Sequence, residues 1–123
     1  VVVAGGAPCD FREMPLDNPY LAHWLGGTRR GCPDAYEAAS PARFASADCP
    51  PVFFYHGEED RLVPVAQPRA MAAELAKLGV PAEMHAVPGA GHVNVLLDRE
   101  VAMQAVRFLD RHLGNERRSP QGF

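Results

Sequence analysis

The chain has 123 residues, 47% apolar and 22% charged, with a formal net charge of −3. One modest domain with an ordinary core fits that length, and twelve Lys+Arg against fifteen Asp+Glu leave no basic footprint for a phosphate backbone, so nucleic acid is not an expected partner. No apolar run approaches the roughly 20 residues that span a bilayer, and no charged-then-apolar leader stands out, so no membrane partner is expected either.

The first element is a strand, Val1–Ala4, closed by Gly5-Gly6; the chain reads as though it opens inside it. Residues 8–50 follow, rich in Pro, Gly and Arg, and short helices are expected there over Pro19–Leu25 and Pro33–Ala39. A second strand, Val52–Tyr55, lies between Pro50-Pro51 and Gly57. Two windows lack proline, 69–80 and 89–119, and the main helices belong there. In the first, Met71, Leu75 and Leu78 recur at helical spacing, Pro68 suits the first turn and Gly79 the C-terminal end. A third strand, Ala82–Val87, is bounded by Pro81 and Pro88-Gly89. The last helix carries Val101, Ala105, Phe108, Leu109 and His112 or Leu113 on one stripe, with Asp98 as N-cap and Gly114 at its end. Residues 115–123 read as a polar tail after a unit covering 1–114. The first two strands are apolar without alternation, as parallel strands covered on both faces are, and from residue 51 the order is strand, helix, strand, helix. The fold class is therefore α/β with a parallel sheet.

In such a sheet the loops leaving neighbouring parallel strands emerge at one edge, which is where ligands bind. Asp60 follows the second strand and His92 the third, and neighbouring strand ends lie about 4.8 Å apart. Asp60 and His92 can then meet. A carboxylate bonded to one imidazole nitrogen fixes the tautomer and leaves the other nitrogen free to take a proton from a nucleophile.

His56-Gly-Glu-Glu-Asp60-Arg-Leu-Val-Pro64, a helix, and Val87-Pro-Gly-Ala-Gly-His92 resemble the C-terminal part of serine α/β-hydrolases. The nearest look is to the branch of carboxylesterases, feruloyl and acetylxylan esterase-like enzymes and prolyl-oligopeptidase-type hydrolases. Gly6-Ala-Pro-Cys-Asp10 resembles that family's turn after strand six, and Leu25-Gly-Gly-Thr28 and Ala39-Ser-Pro41 its next connecting segment. The resemblance covers about residues 1–113 and implies the last three strands of the sheet, with Asp60 and His92 as two members of a Ser-His-Asp triad acting on a small-molecule ester. No metal or organic cofactor is implied.

The third member is missing from the pattern. Ser40, Ser46 and Ser119 lack the G-x-S-x-G elbow of such a nucleophile, and Cys9, Cys32 and Cys49 lack it too. The expectation is an incomplete hydrolase domain, inactive by itself, whose first strand offers an uncovered edge to a missing N-terminal half or an associating chain. The competing readings are a prolyl-oligopeptidase-like peptidase fragment and a non-catalytic α/β binding or assembly module. His56 reads as structural, and His23, His85 and His112 as satisfied or solvated. Glu58 and Glu59 read as a solvated turn. Phe11, Tyr20, Trp24, Tyr36 and Phe44 read as core or lid packing, with a pocket-shaping role as the alternative. The cysteines form neither a disulfide scaffold nor a zinc spacing, and whether Cys32 and Cys49 pair is left open.

Overall fold

A computed structural model describes residues 1–114. Three strands, β1 (Val2–Gly5), β2 (Val52–Gly57) and β3 (Ala82–Val87), form one parallel sheet in the order β1-β2-β3. Val52 sits opposite both Val2 and Ala82, and Gly57 opposite Val87. The helices are α1 (Pro19–Leu25), α2 (Pro33–Ala39), α3 (Ala66–Lys77) and α4 (Arg99–Leu113), with short 3-10 turns at Phe11–Glu13, Pro41–Phe44 and Asn94–Leu97. The expected tail, 115–123, lies outside the described residues.

Burial explains the pattern of β2. It is the central strand and every residue of it except Tyr55 is buried. One face carries Val52 and Phe54, packed with Ala72, Leu75, Val80 and Cys9. The other carries Phe53, whose ring lies 5.7 Å from that of Phe108 on α4, while Tyr55 packs against Val87, Ala90, Val95 and Val101. Complete burial of Phe53 or Phe108 is worth about 1.5–3 kcal/mol, so these two rings fasten α4 to the sheet. A strand covered on both faces needs no polar alternation.

The short helices have the expected bounds because their ends are written in the chain. Asn18 accepts from the N–H of Tyr20 and Leu21, Pro19 opens α1, and Gly26 closes it at φ 83°. Asp98 caps α4 by accepting from Val101 N, and Gly114 ends it. Three expectations shift. Strand β2 runs two residues past Tyr55, so His56 and Gly57 are strand residues. Helix α3 starts at Ala66, ahead of the proline-free window, because a proline in the first turn has no intrahelical N–H to lose. The buried stripe of α3 is Gln67, Pro68, Ala72 and Leu75, whereas Leu78 lies at the exposed end and Met71 is only partly covered.

The segment between β1 and β2 is held by polar anchors rather than by a core of its own. Gln67, buried on α3, accepts from Cys9 N and Asp10 N at 3.0 and 3.1 Å and donates to Asp10 O at 3.0 Å. Ser40, fully buried, accepts from Phe11 N at 2.9 Å and donates to Tyr36 O at 2.7 Å. Of the aromatic group expected to pack inside, Tyr36 is buried and Phe11 partly so, but Tyr20, Trp24 and Phe44 are exposed. Helix α1 buries none of its residues, which leaves its two rings without a core to enter. Cys9, Cys32 and Cys49 are free thiols, and burial, with the adjacent Asp10 carboxylate, pushes Cys9 up to about 11.

Candidate active site

The carboxyl ends of β2 and β3 are tied directly together. Glu58 N donates to Val87 O at 3.0 Å and Glu59 N to Ala90 O at 2.9 Å. This close approach requires Gly57 to lack a side chain, since a Cβ there would stand 2.2 Å from Ala90 O. The pairing brings Asp60 and His92 into contact: His92 Nδ1 lies 2.7 Å from Asp60 Oδ2.

Asp60 is held on all sides. Its Oδ1 accepts from Leu62 N at 2.8 Å and from Val63 N at 2.9 Å, an Asx-type turn that the Asp-x-x spacing itself supplies. Its Oδ2 accepts from His92 and lies 3.1 Å from His56 Nε2. The Asp60 and His56 side chains are wholly buried. Burial pushes the Asp60 carboxyl up, but hydrogen bonds from Val63 N, His92 and Leu62 N outweigh it and hold the group below the ordinary carboxylate range. The unfolded chain therefore binds more protons across that interval. Asp60 contributes stability above about pH 4 that is lost as the pH falls through its lower folded value. In the intact protein, unfolding free energy from urea titrations should fall less steeply between about pH 5 and pH 2 in Asp60→Asn than in wild type. An unchanged slope would contradict this.

The donors around Asp60 fix both imidazoles. Because carboxylate Oδ2 only accepts, His92 places its hydrogen on Nδ1 and leaves Nε2 bare, the arrangement of a base. His56 Nε2 faces two acceptors, Val63 O at 2.8 Å and Asp60 Oδ2, so its hydrogen is on Nε2 and its buried Nδ1 has no partner among the described residues. The His92 side chain is 34% exposed, while the carboxylate it contacts is wholly buried. Gly6, at φ 60°, lies beneath this ring; a Cβ on it would come within 2.9 Å of His92 Cε1.

Beside His92 opens a groove of about 570 Å³, walled by Phe11, Tyr20, Leu21, Trp24, Leu62 and Val63. Apart from His92, none of the residues lining it carries an ionisable acid or base near neutral pH. Glu58 and Glu59 are exposed, and Glu58 pairs with Arg69 at 2.7 Å. Ser40 is spent on the connecting segment, Ser46 contacts Asp48 N and Cys49, and neither bonds to His92 among the described residues. No group of three or more His, Cys, Asp or Glu residues is placed to hold a metal, and no helix is long and apolar enough to cross a membrane, among the described residues.

The expected contact of Asp60 with His92 forms, and three further residues hold the surroundings in ways the sequence did not suggest. His56 is structural as expected, yet it also reaches the carboxylate. Its register on the face of Phe54 places it over the Asp60 turn, which a strand ended at Tyr55 does not reveal. Gly6 and Gln67 offer no sequence signal beyond a glycine pair and a polar residue in a first turn.

Comparison with known proteins bears on this arrangement. A sequence model of the prolyl oligopeptidase family matches residues 1–116. Esterase LipQ of Mycobacterium tuberculosis is 38% identical over 85 residues, 68% of this chain and 20% of that protein. A truncated carbohydrate esterase from gut microbiota superposes with a TM-score of 0.79 at 26% identity, over 92% of this chain and 43% of the other. The propionate-bound Est2 esterase of Thermogutta terrifontis shares the fold, with a TM-score of 0.66 at 23% identity over 87% of this chain and 40% of that one. The chain thus spans a fifth of the curated relative and less than half of these two structures. Matched along nearly its whole length, with an α/β-hydrolase sheet and esterases as structural neighbours, the chain belongs to the prolyl oligopeptidase family of hydrolases.

Proposed function

We propose that this chain supplies the acid and the base of a Ser-His-Asp triad for carboxylic-ester hydrolysis, in a protein whose nucleophilic serine lies outside these 123 residues. The observation that carries the reading is the 2.7 Å contact between His92 Nδ1 and a buried Asp60 carboxylate that also accepts two backbone N–H bonds, with His92 one-third exposed and lining a groove. His92 Nε2 takes the proton from the serine hydroxyl as it attacks the ester carbonyl. It then returns that proton to the departing alkoxide oxygen, and a water repeats the cycle on the acyl-enzyme. Asp60 stays ionised, orients the imidazole and stabilises its cation. Residues 1–114 act as the C-terminal part of the hydrolase domain, and the free edge of β1 is where the preceding strand pairs. Ester rather than amide chemistry is favoured by the relatives, described as esterases.

The test uses the full-length protein that contains this chain. It should hydrolyse p-nitrophenyl butyrate and be labelled by a fluorophosphonate on a serine outside the 123 residues, while the 123-residue chain alone does neither. Labelling of Ser40, Ser46 or Ser119, or turnover by the isolated chain, would overturn the division of the triad. Cleavage of proline-containing amides with no ester turnover would transfer the reading to a peptidase.

A further inference from the structure

We infer that the groove between α1 and His92 binds the alcohol side of the ester, and that this alcohol is an uncharged, flat, apolar group of aryl type. The inference rests on the hydrolase reading above and deepens it. A general acid must lie within hydrogen-bond reach of the atom it protonates. In acyl transfer that atom is the leaving oxygen, while the acyl group remains on the serine. A cavity whose wall includes the base is therefore within reach of what leaves.

His92 borders two cavities, and their linings distinguish them. Asp60 holds its Nδ1 and Gly6 packs against the ring. One cavity is walled by Glu59, Arg61 and Asn94, whereas the one suited to an uncharged leaving alcohol is the α1 groove, which carries no charged side chain. Across it stand Tyr20 and Trp24, at i and i+4 on one face of α1, exposed by 81% and 83%. With Phe11, Leu21 and Leu62 they form a continuous apolar wall, the kind of patch that marks a binding surface. The backbone that carries them is fixed, because Asn18 and Gly26 cap both ends of the helix. The cavity, about 570 Å³, has the size of small-molecule sites.

The chemistry of the lining narrows the ligand. With no Lys, Arg, Asp or Glu, the groove offers nothing to a charged alcohol, and burying such a charge unpaired is costly. Asn18 has spent its side-chain oxygen on Tyr20 N and Leu21 N, so few acceptors remain for the hydroxyl donors of a bare polyol. Phe11, Leu21, Leu62 and Val63 supply an apolar surface that a planar ring can fill while it stacks on Trp24 or Tyr20.

The experiment compares the full-length protein with its Trp24→Ala and Tyr20→Ala variants on two ester series. One holds the acyl group as acetate and varies the alcohol from methyl to 2-naphthyl; the other holds the alcohol as methyl and lengthens the acyl chain. The ratio of variant to wild-type kcat/KM cancels the intrinsic reactivity of each ester. For Trp24→Ala we expect a loss of about 10–50-fold on 2-naphthyl acetate against no more than about 3-fold on methyl acetate. The ratio should stay flat along the acyl series, and Trp24→Phe should recover most of the loss. A ratio that falls with acyl length, or is equal for both alcohols, overturns the assignment. So does a lowered Tm with no dependence on the alcohol, which would mean that another part of the protein covers Trp24. Absence of any ester turnover in wild type removes the hydrolase reading itself, whereas turnover with a flat ratio removes only the groove.

Discussion

His92→Ala should lower kcat for ester hydrolysis by the full-length protein by about 10⁴–10⁶-fold, with KM changed only a few-fold. The imidazole contributes through proton transfer in the transition state, so its removal affects the chemical step and leaves ground-state binding largely in place. The variant also removes one of the bonds to the buried Asp60 carboxylate, so about 1–3 kcal/mol of stability should be lost, and rates are compared at a temperature where both proteins stay folded. Asp60→Asn should cost about 10⁴-fold by a different route, because an amide can donate to His92 Nδ1 and impose the wrong tautomer. Losses below tenfold for His92→Ala, in stopped-flow or steady-state assays on matched protein, would remove His92 from the base role.

Gly57→Ala should be the most damaging single-methyl change to the sheet. The new Cβ would meet Ala90 O at 2.2 Å, Ala90 C at 2.6 Å and Gly91 O at 2.7 Å, all backbone atoms that no rotamer change can move. Relief requires the ends of β2 and β3 to part, at the expense of the Glu58–Val87 and Glu59–Ala90 hydrogen bonds. We expect a destabilisation of about 2–4 kcal/mol by urea unfolding of the full-length protein. Activity should fall more than the folded fraction does, since Asp60 and His92 ride on the two loops being separated. Gly89→Ala is the control: its φ of 71° disfavours a side chain, but open space surrounds it, so about 1–2 kcal/mol is expected. An effect at Gly57 no larger than at Gly89 would show that the two strand ends can part at little cost and would remove close approach as the reason for this glycine.

These two sites also mark where sequence reading succeeds and where it stops. Asp60 and His92 were legible because each sits a short, turn-rich step beyond an apolar run, and parallel topology brings such steps to one edge. The bounds of α1, α2 and β3 were legible because prolines, Asn18 and glycines punctuate them locally. Gly57 was read as the terminator of β2 because glycine usually breaks a strand. Here it continues the strand, for a reason that belongs to the partner loop 33 residues away. The burial of Gln67 and Ser40 follows from the backbone groups of Cys9, Asp10 and Phe11 that need partners, which no local pattern encodes. Exposure of Tyr20 and Trp24 was missed because aromatic residues at helical spacing are core residues far more often than a wall awaiting a ligand.

The packing of His92 on Gly6 makes the seat of this imidazole answerable to strand register. Gly6 immediately follows β1, the sheet's edge strand, whereas His92 follows β3, and only β2 connects the two. A slip of β1 by one residue moves its backbone about 3.3 Å. In one direction it would set Ala7 where Gly6 lies and push its Cβ toward the imidazole; in the other Gly5 would take that place while the side chains of β1 turn to the opposite face. The seat of the histidine is thus tied to strand pairing: an in-step β1 brings a residue without a Cβ to the ring, and a slip toward Ala7 does not.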